Sequence, residues 1–271
     1  MRVLVCGASY TGKILHHEFP SVEVRFLTRR PEALVSQALL PFDPALSYDS
    51  ILDTIPAVEE NGRIDLPYRS EIELVLGKSS SAQRCRLVHI SSTSVYAEDF
   101  RGEKETLPCF DEFTMARPET ARGERRLALE ERIKECFPDA VILRAGGIYG
   151  PGRALPLQFL AGEFGRADSG NRMVSRIHVR DLAQLALAAV TADTNLINAV
   201  DGNSALNSEV FAYLENLLSV KVPGSWATDL PSGRRIISRY ADQLIRFRYP
   251  DYRSGFEEIL RDADKLPLRE S

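Results

Sequence analysis

The chain has 271 residues, 44% of them hydrophobic and 27% charged, with 17 glycines, 15 prolines and a formal net charge of −4. Those proportions exclude collagen, coiled-coil and disordered chains, and the mildly acidic balance gives no general pull toward nucleic acid or anionic lipid. No apolar run approaches the roughly 20 residues that span a bilayer, so a small molecule is the expected partner rather than a nucleic acid or a membrane. Met1 to Cys6 lacks the apolar length and the cleavage site of a secretory signal. Cys6, Cys85, Cys109 and Cys136 form no C-x-x-C pair. Neither a metal site nor a disulfide framework is expected, and a reducing cytoplasm suits the chain.

The first forty residues read as a β-α-β unit. Arg2-Val3-Leu4-Val5-Cys6 is a buried strand, Gly7 to Gly12 a turn, 13–19 a short helix stopping before Pro20, and 22–27 a second strand. Residues 38–42, 51–55, 87–92 and 141–144 are the third to sixth strands, 62–67 a loop, and 119–137 a long charged helix. Strands separated by helices pair in parallel, which predicts an α/β, Rossmann-type doubly wound sheet. After Gly150 the character changes: 181–190 and 208–218 read as helices, 195–200 as a returning strand, and 246–260 as a tail of aromatics and charges. Residues 1–150 are thus assigned to a Rossmann domain. Residues 151–271 form mostly a small C-terminal substrate lobe, interleaved with that domain and lying over the edge where open α/β sheets bind ligands.

Gly7-Ala8-Ser9-Tyr10-Thr11-Gly12-Lys13 sits between the first strand and the first helix. As a dinucleotide turn it is G-x-S-x-x-G. Gly7 permits the tight turn, Gly12 permits close helix–strand packing, and Ser9 is small enough to admit a pyrophosphate to the helix N-terminus. Tyr10 and Thr11 complete that cradle. As a Walker-type loop the segment matches G-x-x-x-x-G-K, but Ile14 stands where Ser or Thr holds magnesium. The dinucleotide reading is favoured over that loop and over a turn with no ligand. The second strand ends Leu27-Thr28-Arg29-Arg30, with no acid to bond a ribose 2′-hydroxyl. Two guanidiniums can instead clamp a 2′-phosphate, so NADP(H) is expected over NAD(H); the plainer alternative is two solvated arginines. Thr54, at the end of the fourth strand, joins the expected cofactor contacts.

Four segments in this order resemble the extended short-chain dehydrogenase/reductase superfamily, also called the NAD-dependent epimerase/dehydratase family. They are the glycine turn, Ile90-Ser91-Ser92-Thr93-Ser94-Val95-Tyr96, Leu143-Arg144-Ala145-Gly146-Gly147-Ile148-Tyr149-Gly150-Pro151-Gly152, and Ile177-His178-Val179-Arg180-Asp181-Leu182. The tail Tyr249-Pro250-Asp251-Tyr252-Arg253-Ser254-Gly255-Phe256 is similar to its atypical YeeZ-like branch. The resemblance covers nearly the whole chain. It implies a nicotinamide cofactor across the strand ends, Ser92 at the catalytic Ser/Thr position with Thr93 one residue on, and a turn at Tyr149 passing close to the nicotinamide. The residues agree: Ser91, Ser92 and Thr93 crowd hydroxyls where a core strand reaches the ligand edge. Such hydroxyls bond a cofactor or substrate oxygen, or cap a turn. His178 reads as an anchor of the lobe rather than a catalytic base.

The same resemblance implies a Tyr-x-x-x-Lys pair on the helix after the serine strand, and this chain has none. Counting back from Glu130 puts Arg122 in the tyrosine slot and Arg126 in the lysine slot. At about 100° per residue, Arg122, Arg126, Leu129, Ile133 and Phe137 share one stripe, which should face the sheet. Two inward arginines need anionic or carbonyl partners; a shifted register with solvated arginines paired to Glu130 is the alternative. Arg126 can hold a ribose. Arg122 stays protonated and can only stabilise negative charge. A proton would come from Tyr149, Tyr96, Tyr10, water or the substrate. Three functions are compatible. The first is an NADP(H)-dependent reductase, epimerase or dehydratase acting on a small polar or anionic substrate. The second is a non-catalytic cofactor sensor or scaffold. The third is a triphosphate enzyme with Asp53 as strand-end acid. A monomer and a homodimer paired through helix 119–137 are both expected possibilities.

Overall fold

The computed structural model describes residues 1–264 apart from 31, 61–62, 79–84, 162–170, 220 and 222–229. Seven strands make the main sheet: β1 (Arg2–Cys6), β2 (Glu23–Leu27), β3 (Leu40–Pro41), β4 (Ser50–Asp53), β5 (Arg86–Ser92), β6 (Val141–Ala145) and β7 (Leu196–Ala199). Their order is β7-β6-β5-β4-β1-β2-β3, and every neighbouring pair is parallel. The longer helices are α1 (Tyr10–Glu18), α2 (Arg69–Gly77), α3 (Ala121–Cys136), α4 (Val179–Ala188), α5 (Asn207–Leu218) and α6 (Tyr252–Asp264). The expected doubly wound α/β architecture is the one observed.

Period-two alternation explains the layering. Val3 and Val5 of β1, with Leu143 of β6, face Ile14, Leu15, Leu182 and Leu185 of α1 and α4. Leu4 and Cys6, with Ile142, face Ile72, Val75, Leu129 and Ile133 of α2 and α3. With helices on both faces, β4 and β6 are buried along their whole length. A third cluster forms where α5, α6 and the short helix Leu155–Leu160 pack Phe159, Phe211, Leu214, Tyr252 and Phe256 around Tyr149, just beyond β6.

Several boundaries differ from the expectation for physical reasons. The strand expected over 38–42 shrinks to Leu40–Pro41 at the sheet edge: Ala38 takes a φ of 52° and Pro41 has no N–H to donate. The segment expected as a loop over 62–67 contains Arg63–Asp65, which pairs antiparallel with Val58–Glu60; Gly62 lies outside the described residues. Helix α1 begins at Tyr10 rather than 13 because the Ser9 side chain caps it, accepting the Gly12 N–H at 3.2 Å. Helix α2, absent from the reading above, is short, with Ile72 and Val75 as its buried positions. The tail resolves into α6. Among the described residues no helix is long and apolar enough to cross a membrane.

Candidate functional site

A cleft of about 850 Å³ opens at the C-terminal ends of β1, β4, β5 and β6. The strand order reverses beside β1, the switch point where open α/β sheets take ligands. Its wall includes Ser9, Tyr10, Thr11, Thr54, Ser91, Ser92, Thr93, Arg122, Arg126 and Tyr149. The structure thus gathers ten of the expected site residues in one place. Gly7, Gly12, Arg29 and Arg30 do not line it.

The two glycines act from beneath. Gly7 has a φ of 88°, which suits a residue without Cβ. A Cβ at Gly12 would come within 2.6 Å of Val5 Cγ1, so only glycine lets α1 settle on β1. With Ser9 occupied by the Gly12 amide, the Tyr10 and Thr11 amides at the start of α1 have no preceding helical carbonyl to bond. That helix end, with a small residue before it, fits the pyrophosphate of a dinucleotide. Thr54 donates its hydroxyl to the Cys6 carbonyl at 2.8 Å and braces the turn. Lys13 does not line the cleft. Asp53 lies 2.7 Å from His89 Nδ1 and also accepts the Ile55 N–H. The triphosphate reading therefore loses its lysine, which stands outside the cleft, and its strand-end acid, which is bonded to His89. Arg29 and Arg30 are exposed just past the end of β2.

The hydroxyl side of the cleft is built on the end of β5. Ser91 donates to Glu130 at 2.6 Å, and Glu130 is fully buried against Arg144, whose Nη2 reaches it at 2.7 Å. This corrects the alternative in which Glu130 pairs with the arginines of its own helix. Ser92 caps the short turn after β5, accepting the Ser94 N–H at 3.2 Å, and keeps its own proton available. Thr93 presents its carbonyl to Arg234 at 2.6 Å. Arg234 and Arg172 both pair with Glu98.

The expected stripe on α3 changes character along its length. Leu129, Ile133 and Phe137 are buried, Arg126 is half-buried, and Arg122 is exposed in the cleft wall. The two arginines therefore leave the sheet face and enter the cleft. Burial holds the Arg126 guanidinium below its usual range, and the neighbouring Arg122 charge adds to that, partly offset by Asp53 and Glu130.

The tyrosines considered as proton donors are engaged. Tyr149 is 6% exposed and donates to the Asp251 carbonyl at 3.2 Å; burial, then Asp201 and Asp181, drives its hydroxyl far above the normal range. Tyr96 lies outside the cleft, fully buried, 2.9 Å from Asn198 Oδ1, which corrects its candidacy. Tyr10 donates to the Pro151 carbonyl at 2.8 Å, and burial pushes it up to about 12. His178 caps α4, accepting the Arg180 N–H, and stacks on Tyr249 at 3.8 Å between ring centroids. Burial, then Arg180 and Arg248, lowers it to about 3, so it is a neutral anchor.

The ion pairs around Ser91 and Thr93 escaped the sequence reading. Arg144 did carry a signal: a charge inside the apolar strand Val-Ile-Leu-Arg-Ala demands a buried partner. Glu98, Arg172 and Arg234 come from separate loops and strands, with no local pattern linking them.

No protein-family model matches the chain, and neither does any curated protein. Solved structures do share its fold. A functionally unknown conserved protein from Silicibacter pomeroyi is 22% identical with a TM-score of 0.72, over 96% of this chain and 98% of that one. A proposed NAD-dependent epimerase/dehydratase from Methylobacillus flagellatus is 19% identical with a TM-score of 0.69, over 97% and 98%. UDP-glucuronic acid 4-epimerase from Bacillus cereus, in complex with UDP-glucuronic acid and NAD, is 18% identical with a TM-score of 0.62, over 97% and 100%. The chain has the fold of NAD-dependent epimerase/dehydratase structures, built over its whole length.

Proposed function

We propose that this protein is an NADP(H)-binding oxidoreductase of the atypical extended short-chain type, acting on a small polar or anionic substrate. The observation that carries the reading is that the Ser9-capped end of α1 and the residues Ser92 and Thr93 line one cleft at the switch point of the sheet. The Bacillus cereus epimerase holds NAD on the same fold; the preference for the 2′-phosphorylated form rests on Arg29 and Arg30 and the lack of an acid beside them. In this reading the α1 amides and Ser9 bind the pyrophosphate, Thr54 and Ser91 shape the wall, and Arg126 takes the ribose. The nicotinamide would supply or take up a hydride. Ser92 and Thr93 orient a substrate oxygen, and Arg122 stabilises negative charge beside them. The free thiols of Cys6, Cys85, Cys109 and Cys136 favour the cytoplasm as its place of work.

Titration with NADPH, NADH and ATP–magnesium, read by the fluorescence of the reduced cofactors and by thermal shift, tests this. NADPH should bind tightest, and Arg29→Ala with Arg30→Ala should weaken it by about ten- to a hundredfold, to the level of NADH. ATP–magnesium binding tightest would overturn the reading. A second reading, a non-catalytic NADP(H) sensor or scaffold, is favoured by the engaged state of Tyr10, Tyr96 and Tyr149. NADPH binding with no oxidation across carbonyl and imine panels would select it.

A further inference from the structure

Helix α3 begins on top of the turn that follows β5. A Cβ at Gly123 would lie 2.4 Å from the Ser94 carbonyl oxygen, so glycine alone allows this approach. The contact sets the wall position of Arg122 next to the Ser92–Ser94 turn. Among the described residues lining the cleft, Glu98 is the one acid, against six arginines. Three of those cations have side-chain partners among the described residues. Arg172 and Arg234 share Glu98. Arg176 donates to the Val174 carbonyl and lies over the Tyr252 ring. Arg126, half-buried and assigned above to the ribose, feels Asp53 and Glu130 only at a distance, since those carboxylates bond His89 and Arg144. Arg153 also has no side-chain hydrogen bond or ion pair among the described residues, but it stands on the Tyr10 side of the cleft. Arg122 has no hydrogen bond or ion pair among the described residues, and it stands close enough to Arg126 for the two like charges to oppose each other. An anion seated on the exposed guanidinium would offset that like-charge repulsion.

Resting on the dinucleotide reading above, we infer that Arg122 binds the carboxylate of a substrate whose neighbouring carbon is the reacting one: a 2-oxo or 2-hydroxy acid. A guanidinium matches a planar carboxylate with two parallel hydrogen bonds. The adjacent Ser92 and Thr93 hydroxyls then meet the oxygen on the next carbon. A neutral group in that place would leave Arg122 without a counter-charge. The exchange of a phenol for a guanidinium gives up an acid and gains an anchor for this class of substrate.

Oxamate, an unreactive isostere of a 2-oxo acid, and its neutral diamide, oxamide, test the assignment by calorimetry on the NADPH-saturated protein. Oxamate should bind saturably and oxamide should not. Arg122→Gln should weaken oxamate by about tenfold or more while holding NADPH within about twofold of the parent. Arg122 is exposed, so the variant should unfold at the parent's temperature. Oxamate that fails to bind the NADPH-loaded protein, or that binds Arg122→Gln as well as the parent, overturns the inference and leaves the dinucleotide reading standing. So does oxamide binding as tightly as oxamate. If NADPH itself does not bind, the dinucleotide reading falls, and the inference with it.

Discussion

Asp201 lies just past β7, 8% exposed, and its environment makes stability depend on pH in an unusual direction. Its Oδ1 accepts the Asn203 N–H at 2.9 Å, while Oδ2 is buried with no partner among the described residues. Burial pushes the carboxyl from its ordinary 3.8 up to about 8; the Asn203 amide and Arg176 pull the other way, and Asp251 and Asp181 reinforce the rise. Between those two values the folded chain holds a proton that the unfolded chain has released. Stability is therefore full below the ordinary value and falls as pH rises toward the folded one, by about 1.4 kcal/mol per unit, or about 2.5 kcal/mol from pH 5.5 to 7.5. Asp201→Asn stays neutral throughout. It keeps an oxygen for the Asn203 amide and carries only a pH-independent cost for the added N–H. Urea unfolding of both proteins at several pH values across that window isolates the effect, because every other group titrates alike in the two. The gap should widen with pH, in favour of the asparagine variant. A gap constant within about 0.5 kcal/mol would refute the reasoning, since the carboxyl would then be ionised in the fold.

Two further variants probe the groups under the cleft. Glu130→Ala leaves Arg144 buried without its carboxylate and should cost about 3–5 kcal/mol in denaturant unfolding; adding Arg144→Met removes the stranded charge and should recover part of that loss, whereas additive losses would show the two residues uncoupled. Tyr149→Phe deletes the bond to the Asp251 carbonyl and should lower stability by about 0.5–1.5 kcal/mol. Turnover, in any assay that detects it, should stay near the parent's; a drop of about a hundredfold or more would make Tyr149 the proton donor after all.

The parts of the cleft that could be read in the sequence share one property: they are local. The turn from Gly7 to Gly12 needs its residues within one β-α junction, because a positive φ, a helix cap and a close helix–strand contact are all set by neighbours a few positions apart. The layering was visible for the same reason, since alternation in β1 and β6 reports which helix each side chain meets. Where reading failed, geometry was being set over long separations. The count that placed Arg122 and Arg126 on a sheet-facing stripe was correct for angle. It could not show that α3 outruns the sheet at its first turns, so that the same stripe which buries Ile133 delivers Arg122 to a cleft. Nor could it show that Arg144, 14 positions away, would claim Glu130. Tyr96 and Tyr149 illustrate the converse. Both follow strands that end at the ligand edge, as a proton donor should, yet segments more than 100 positions further on take their hydroxyls. A phenol near a cleft is a donor only if no later part of the chain has spent its proton. Binding through backbone amides at a helix end escapes that competition, because the Tyr10 and Thr11 amides have no preceding helical carbonyl to bond.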